Sequence, residues 1–314
     1  MKSSFFFLIL FAQASLCLNA SNLDPQSMLG SLHTASSDTI IGDEYLGQTP
    51  PSDIPEVFGP GIVSTEHRDH NLSYTPDMQE FYFTRKDKDS RKWFLIGYKL
   101  ENGVWREFLR EPRLGRPIIS PDGNVLHMGD HYKTRTDSGW SKAKSLGPMF
   151  DRADWGLMRL SASANGTYVF DDYKSDDLLR ISKLEHGKRQ APVVLGPEIN
   201  NGKYTAHPFI APDESYLIWD SEKTEGYGES DLYISFRQQD GSWSQSINLG
   251  DKINTAATES GAYVSPDGKY LFFNRNPASE TTDGDILWVS TEFFDALKQR
   301  IVIKTASNLS QIKE

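Results

Sequence analysis

His207-Pro208-Phe209-Ile210-Ala211-Pro212-Asp213-Glu214-Ser215-Tyr216-Leu217-Ile218-Trp219 and Gly261-Ala262-Tyr263-Val264-Ser265-Pro266-Asp267-Gly268-Lys269-Tyr270-Leu271-Phe272-Phe273 are two versions of one phrase. Each is an apolar run, a Pro-Asp turn and an aromatic-rich run whose residues suit a pleated surface. Proline presets φ at the second turn position, and the aspartate after it can bond its own backbone, so the chain reverses within about four residues. Both stretches therefore read as β-hairpins.

The phrase recurs outward from there. It stands as Thr75-Pro76-Asp77 before Phe81-Tyr82-Phe83, as Ser120-Pro121-Asp122-Gly123 before Val125-Leu126-His127, and in a weaker form as Ser163-Ala164-Asn165-Gly166 before Tyr168-Val169-Phe170. Starts at 75, 120, 163, 211 and 265 lie 45, 43, 48 and 54 residues apart. A period near 45 with strand-rich units is the signature of propeller blades. Third strands follow acidic or glycine turns, as at Asp177–Ser182, Asp231–Ser235 and Asp285–Ser290. Gly-Val-Trp at Gly103, Gly-Trp at Gly139 and Gly-Ser-Trp at Gly241 mark a fourth, and Leu-Gly closes units at Leu146, Leu195 and Leu249.

These phrases resemble the WD40-like Pro-Asp repeats of TolB-type β-propellers, with Ile210–Ile218 and Gly226–Arg237 similar to the secreted bacterial branch. The resemblance spans Tyr45 to Lys298 and implies an all-β fold of four-stranded antiparallel blades. Because the repeated residues belong to turns and cores, it implies little about activity. Five complete units favour five blades; six result if 19–61 and the C-terminal tail assemble another. For ring closure, Ile301-Val302-Ile303 and Asp43 to Gly47 are the two candidates, and Pro55-Glu56-Val57-Phe58 resembles a fourth-type strand ahead of the first hairpin.

Residues 1–20 hold one lysine, an apolar run from Phe5 to Ala12 and small residues near Ser15 and Ala20, the pattern of a secretory signal peptide. The expected organisation is a signal peptide over 1–20, a linker over 21–44, the propeller over 45–300, and a tail or closing strand over 301–314. Periplasmic or extracellular localisation follows. Cys17, the sole cysteine, lies inside the leader, so the mature chain would have no thiol or disulfide. A net charge of −10 argues against nucleic acid and anionic membranes as partners. No apolar run is long enough for a membrane span, and a monomer is expected.

In a propeller the first strand of each blade lines the central channel, so residues at one offset from the turns should form a ring. Four positions before each turn stand Asn71, Arg116, Arg159, His207 and Gly261, a basic layer in an acidic protein. The neighbouring layers contain Ser73, Ile118, Ser161, Phe209 and Tyr263 on one side and Asp69, Leu114, Leu157, Thr205 and Glu259 on the other. Two readings follow. Arg116, Arg159 and His207, with Asn71 and Glu259, converge on an anionic ligand such as an acidic or sulfated saccharide or a peptide carboxylate. Otherwise the arginines pair with Asp69, Glu259 or Asp154 and plug the ring.

His207, His70 and Tyr263 are the candidate catalytic residues, and His67 also precedes a turn. No metal-ligand spacing, nucleophile elbow or phosphate loop is present, so no cofactor is required, although calcium or another divalent ion suits the acidic loops 220–231 and 274–285. The leading expectation is an exported, soluble binding module for a protein, an anionic glycan or a small molecule. The alternative is a lyase or hydrolase acting on acidic saccharides through His207 and the channel arginines.

Overall fold

The Pro-Asp phrases are hairpin turns, and their hydrogen bonds explain why the phrase repeats. Thr75 and Ser265 donate their hydroxyls to Asp77 and Asp267 at 2.6 and 2.7 Å while accepting the N–H of Glu80 and Tyr270 at 3.0 Å. Each aspartate in turn accepts the N–H two residues on, from Gln79 and Lys269 at 3.1 Å. Hydroxyl, carboxylate and backbone thus satisfy one another without help from the rest of the fold. At the fourth turn Ala211 supplies no hydroxyl, and Ser215 bonds Asp213 instead.

In the computed structural model, which describes residues 40–175, 177–277 and 284–300, each turn joins an innermost strand to the second strand of a blade. The pairs are Arg68–Tyr74 with Glu80–Lys86, Pro117–Ile119 with Val125–Met128, Leu160–Ala162 with Tyr168–Asp172, Lys203–Ile210 with Tyr216–Glu222, and Thr258–Val264 with Tyr270–Asn276. Third strands follow at Trp93–Glu101, His131–Thr136, Leu178–Ser182, Asp231–Phe236 and Asp285–Ser290. The result is a five-bladed propeller of antiparallel sheets. All the turns gather at one rim: Pro76, Pro121, Pro212 and Pro266 line a single cavity of about 200 Å³, and Ala164 N–H donates to the Pro212 carbonyl at 2.8 Å.

Among the described residues, ring closure does not use Asp43 to Gly47. Glu56–Val57, the stretch resembling a fourth-type strand, forms the outer strand of the last blade by pairing with Trp288 and Leu287. Asp43 to Gly47 is instead a turn: Asp43 accepts the N–H groups of Tyr45 and Gly47, and its carbonyl accepts Trp105 Nε1–H. Ile301-Val302-Ile303 and the leader lie outside the described residues. Ile40–Ile41, in the stretch read as a linker, adds a fifth strand to the first blade. A helix over 293–300 follows the last strand, and no described helix is long and apolar enough to cross a membrane.

The core lies between the blades. Trp105, Trp219 and Trp288 are fully buried, and Trp288 meets Phe58 edge-on at 5.2 Å and stacks on Phe272 at 5.9 Å. A buried phenylalanine of this kind contributes roughly 1.5–3 kcal/mol. The innermost strands, which have a free edge toward the axis, find partners on the adjoining blade. Ser73 Oγ accepts Ile119 N–H, Ser161 Oγ accepts Ile210 N–H, and Tyr263 Oη accepts Tyr74 N–H, at 2.9, 3.1 and 3.1 Å. Side chains of the layer next to the turns therefore lock blade to blade.

Candidate functional site: the axial cavity

Three innermost strands carry a β-bulge at the same level, between His70 and Ser73, Ala206 and Phe209, and Ser260 and Tyr263. Asn71, His207 and Gly261 there adopt left-handed backbone, with φ of 62°, 49° and 67°. A bulge frees an N–H from the ladder. Each freed group turns to the preceding blade: Asn71 to Asn274 Oδ1, His207 to Asp171 Oδ2 and Gly261 to Asp220 Oδ1, at 2.9, 3.1 and 2.9 Å. Glycine is required at 261, since a Cβ would lie 2.4 Å from Asn274 Nδ2.

The two channel arginines differ. Arg159 is fully buried and donates Nη2 to the Ala262 carbonyl at 2.8 Å and Nη1 to the His207 carbonyl at 3.4 Å, so it spans blades and fills the axis. Burial, followed by the charge of Arg116, lowers its pKa to about 10, which leaves it cationic at neutral pH. Arg116 instead lines an open cavity and donates Nη1 to Asn71 Oδ1 at 3.3 Å. Neither makes the ion pairs weighed from the sequence. Asp69 pairs with Arg85, Glu259 with Arg275 and Asp154 with Arg152.

Those pairs are a repeated structural device. Asp69 and Glu259 each accept a threonine hydroxyl and N–H, from Thr65 and Thr255, while Arg85 and Arg275 reach back to the Ile62 and Ile253 carbonyls. Glu259 is fully buried in this network and does not line the cavity. Tyr263 lies at the other end of the channel, under the turns, with its hydroxyl bonded to the backbone of Tyr74. His67 accepts Lys88 N–H away from the axis.

The cavity holds about 1330 Å³ and opens at the rim opposite the turns, where the innermost strands begin. Arg68, His70 and Arg116 from the first two blades make one wall. The other wall comes mainly from the fourth blade, with His207 and Asp220 deep and Tyr204, Glu222, Lys223 and Tyr227 higher. Burial lowers the Arg116 pKa and Asp171 and Asp220 raise it. Arg113 is lowered to about 10 by burial and by Arg116 as it lies 4.2 Å over Trp93. Arg116 and the buried Arg159 thus share the influence of two carboxylates, Asp171 and Asp220, neither of which lies within ion-pair distance of them among the described residues.

Two histidines face this space with different hydrogen-bond partners. His207 Nδ1 lies 2.9 and 3.0 Å from the two oxygens of Asp220. An acceptor on that side assigns the ring proton to Nδ1, and Nε2 is left buried with no partner among the described residues. His70 Nε2 lies 2.7 Å from Asn276 Oδ1, an acceptor, so this nitrogen carries the ring proton and donates it there. Burial first, then Arg116 and Arg68, depress the His70 pKa to about 3, so it is a neutral wall residue. No cluster of three His, Asp or Glu side chains suited to a metal ion occurs among the described residues.

The structure brings together Asn71, Arg116, His207 and His70, sets Arg159 behind them, and places Glu259 and Tyr263 elsewhere. Sequence reasoning missed Asp171, Asp220 and Asn274, which organise the site from the second strands. Their signal was an acidic or amide residue ending an aromatic run, nine positions after the turn at Asp220 and Asn274 and eight after the shorter turn at Asp171.

No family model matches the chain, and no curated protein matches it. Among solved structures it is similar to TolB from Acinetobacter baumannii, at 11% identity and a TM-score of 0.44, covering 70% of this chain and 56% of that one. It thus spans just over half the length of that TolB chain. Native arabinanase Arb43A of Bacillus subtilis aligns at 11% identity and a TM-score of 0.47, covering 74% of this chain and 97% of the other. XC5397 from Xanthomonas campestris, a gluconolactonase, aligns at 14% identity and 0.42, covering 77% and 96%.

Proposed function

We propose that the chain is an exported TolB-like propeller that works as a binding module, taking the acid group of a ligand into the axial cavity. One observation carries this reading: Arg116 lines the cavity with no carboxylate within ion-pair distance among the described residues, its guanidinium held by Asn71 alone. A half-buried guanidinium gains more from a carboxylate or sulfate than one on the open surface does. Arg68 supports it from the rim, and the leader-like 1–20 supports export.

Calorimetric titration of the mature protein with glucuronate and sulfate tests the reading. Binding that weakens at least tenfold in Arg116→Gln, with an unchanged melting temperature, is the expected result; no heat from either anion removes it. The His207–Asp220 pair favours a second reading, in which Nε2 accepts a proton from a bound acidic saccharide and the protein is a lyase. Unsaturated product released by the wild type and not by His207→Gln supports that reading, and equal, background-level release by both excludes it.

A further inference from the structure

Three tyrosines ring the mouth of the cavity with their side chains in solvent: Tyr173, Tyr204 and Tyr227 are 47, 62 and 49% exposed. Large exposed aromatics need a reason when several share one rim. Each is held in place. Tyr204 stands in left-handed backbone, φ 49°, at the bulged start of the Lys203–Ile210 strand, a conformation that costs a bulky residue about 1 kcal/mol or more. Tyr173 lies against the bare Cα of Gly156, where a Cβ would meet its ring at 2.4 Å, and its N–H donates to the Gly156 carbonyl at 3.0 Å.

Tyr227 is fixed through its loop. The buried Asp231 carboxylate accepts the N–H groups of Tyr227 and Gly228 at 2.7 and 3.2 Å. Gly228 presses so closely on the neighbouring blade that a Cβ would lie 2.2 Å from the Ala257 carbonyl. Pre-placed aromatic faces bind flat apolar surfaces with little loss of side-chain entropy.

The charge pattern narrows what those faces receive. The deep wall offers Arg116, whereas the rim beside the tyrosines carries Asp177, Glu222, Glu225 and Glu229 against Lys203 and Lys223, with Arg68 on the facing wall. Lys203 is occupied by Glu222 at 3.5 Å, and Lys223 donates to Ser246 at 2.7 Å. A polyanion would meet repulsion along this rim, whereas carboxylates accept hydrogen bonds readily from hydroxyl groups. Sugar rings combine C–H faces for tyrosine with hydroxyl edges for carboxylates.

We propose that the ligand is an oligosaccharide with one acidic sugar, seated at Arg116, and neutral sugars that stack on Tyr204, Tyr227 and Tyr173 at the mouth. This rests on the anion reading above and adds the neutral chain and the exclusion of polyuronates.

Titrations of the mature protein with glucuronate, with a trisaccharide of two neutral hexoses ending in glucuronate, and with trigalacturonate test it. The trisaccharide is expected to bind at least tenfold more tightly than glucuronate, and trigalacturonate no more tightly than glucuronate. Tyr204→Ala and Tyr227→Ala should each return trisaccharide affinity toward the glucuronate value without changing glucuronate binding or melting temperature. Glu225→Gln with Glu229→Gln should raise trigalacturonate affinity several-fold. If glucuronate binds but the trisaccharide gains nothing, or the tyrosine variants leave it unchanged, this inference fails and the anion reading stands. Tight trigalacturonate binding also overturns it. If a trisaccharide of three neutral hexoses, titrated alongside as a control, binds as well as the acidic one, the anion reading fails instead, and if no compound binds, both fail.

Discussion

At the scale of single residues, the channel layer shows what an offset from a turn can and cannot specify. Counting four positions back from each turn places Asn71, Arg116, Arg159, His207 and Gly261 at one level of the axis, because strands carry equivalent side chains to equivalent faces. It does not say that Arg159 turns inward and Arg116 outward, since that depends on which neighbour offers carbonyls. Ala262 and His207 offer theirs to Arg159. Replacing Arg159 with Ala should therefore cost about 3 kcal/mol or more by leaving a cavity and buried acceptors, seen as a large drop in the urea midpoint. A midpoint within experimental error of the wild type would mean that the axis tolerates an empty core.

His127 supplies the pH dependence of the same interior. Its ring is buried against the edge of Tyr168 at 5.2 Å, with Nδ1 unpartnered among the described residues, and burial first, then Arg189, lower its pKa from 6.5 to about 4. Below pH 6.5 the unfolded chain takes up a proton that the native ring refuses. The stability associated with the neutral ring is thus full above pH 6.5 and declines as the pH falls toward 4, by up to about 1.4 kcal/mol per pH unit. His70, depressed to about 3, acts in the same direction. In His127→Leu the urea midpoint should fall less steeply between pH 6.5 and 4 than in the wild type. Parallel slopes would show that His127 titrates normally.

At the scale of elements, the hairpins were legible because their turns are chemically self-contained. Thr75-Pro76-Asp77 and Ser265-Pro266-Asp267 satisfy their own donors and acceptors, so the local sequence specifies them. Bulges were not legible. Nothing in Asp69-His70-Asn71-Leu72 requires an extra residue; Asn71 is left-handed because Asn274, two hundred residues away in sequence, offers an acceptor for its N–H. Pro55-Glu56-Val57-Phe58 was legible as a fourth-type strand, but its role in closing the ring was not, for a related reason. Glu56–Val57 is only two residues long and pairs with Leu287 and Trp288, more than two hundred positions further along the chain.

For the whole molecule, closure decides whether the blades form a ring or two unpaired edges, which invite association. The last blade takes its inner three strands from 258–290 and its outer strand from Glu56–Val57, so two segments from opposite sides of the sequence are held in one sheet. The flanking residues strengthen that clasp. Phe58 is fully buried against Phe272 and Trp288, its N–H donates to the Ile286 carbonyl at 2.8 Å, and Tyr45 lies 5.3 Å from the Trp288 ring. Losing Phe58 alone removes about 3–5 kcal/mol of packing, a large fraction of the roughly 5–15 kcal/mol that holds an ordinary domain together. A chain beginning at Pro60 should therefore melt well over ten degrees lower and associate through the bare edge of Asp285–Ser290. Adding a peptide covering residues 45–59 should reverse this association and restore much of the melting temperature, because the missing strand can pair in trans with Leu287 and Trp288. A truncated chain that stays monomeric and melts like the full one would show that the two-residue strand is incidental and that the interblade bonds at Ser73, Ser161 and Tyr263 hold the ring by themselves.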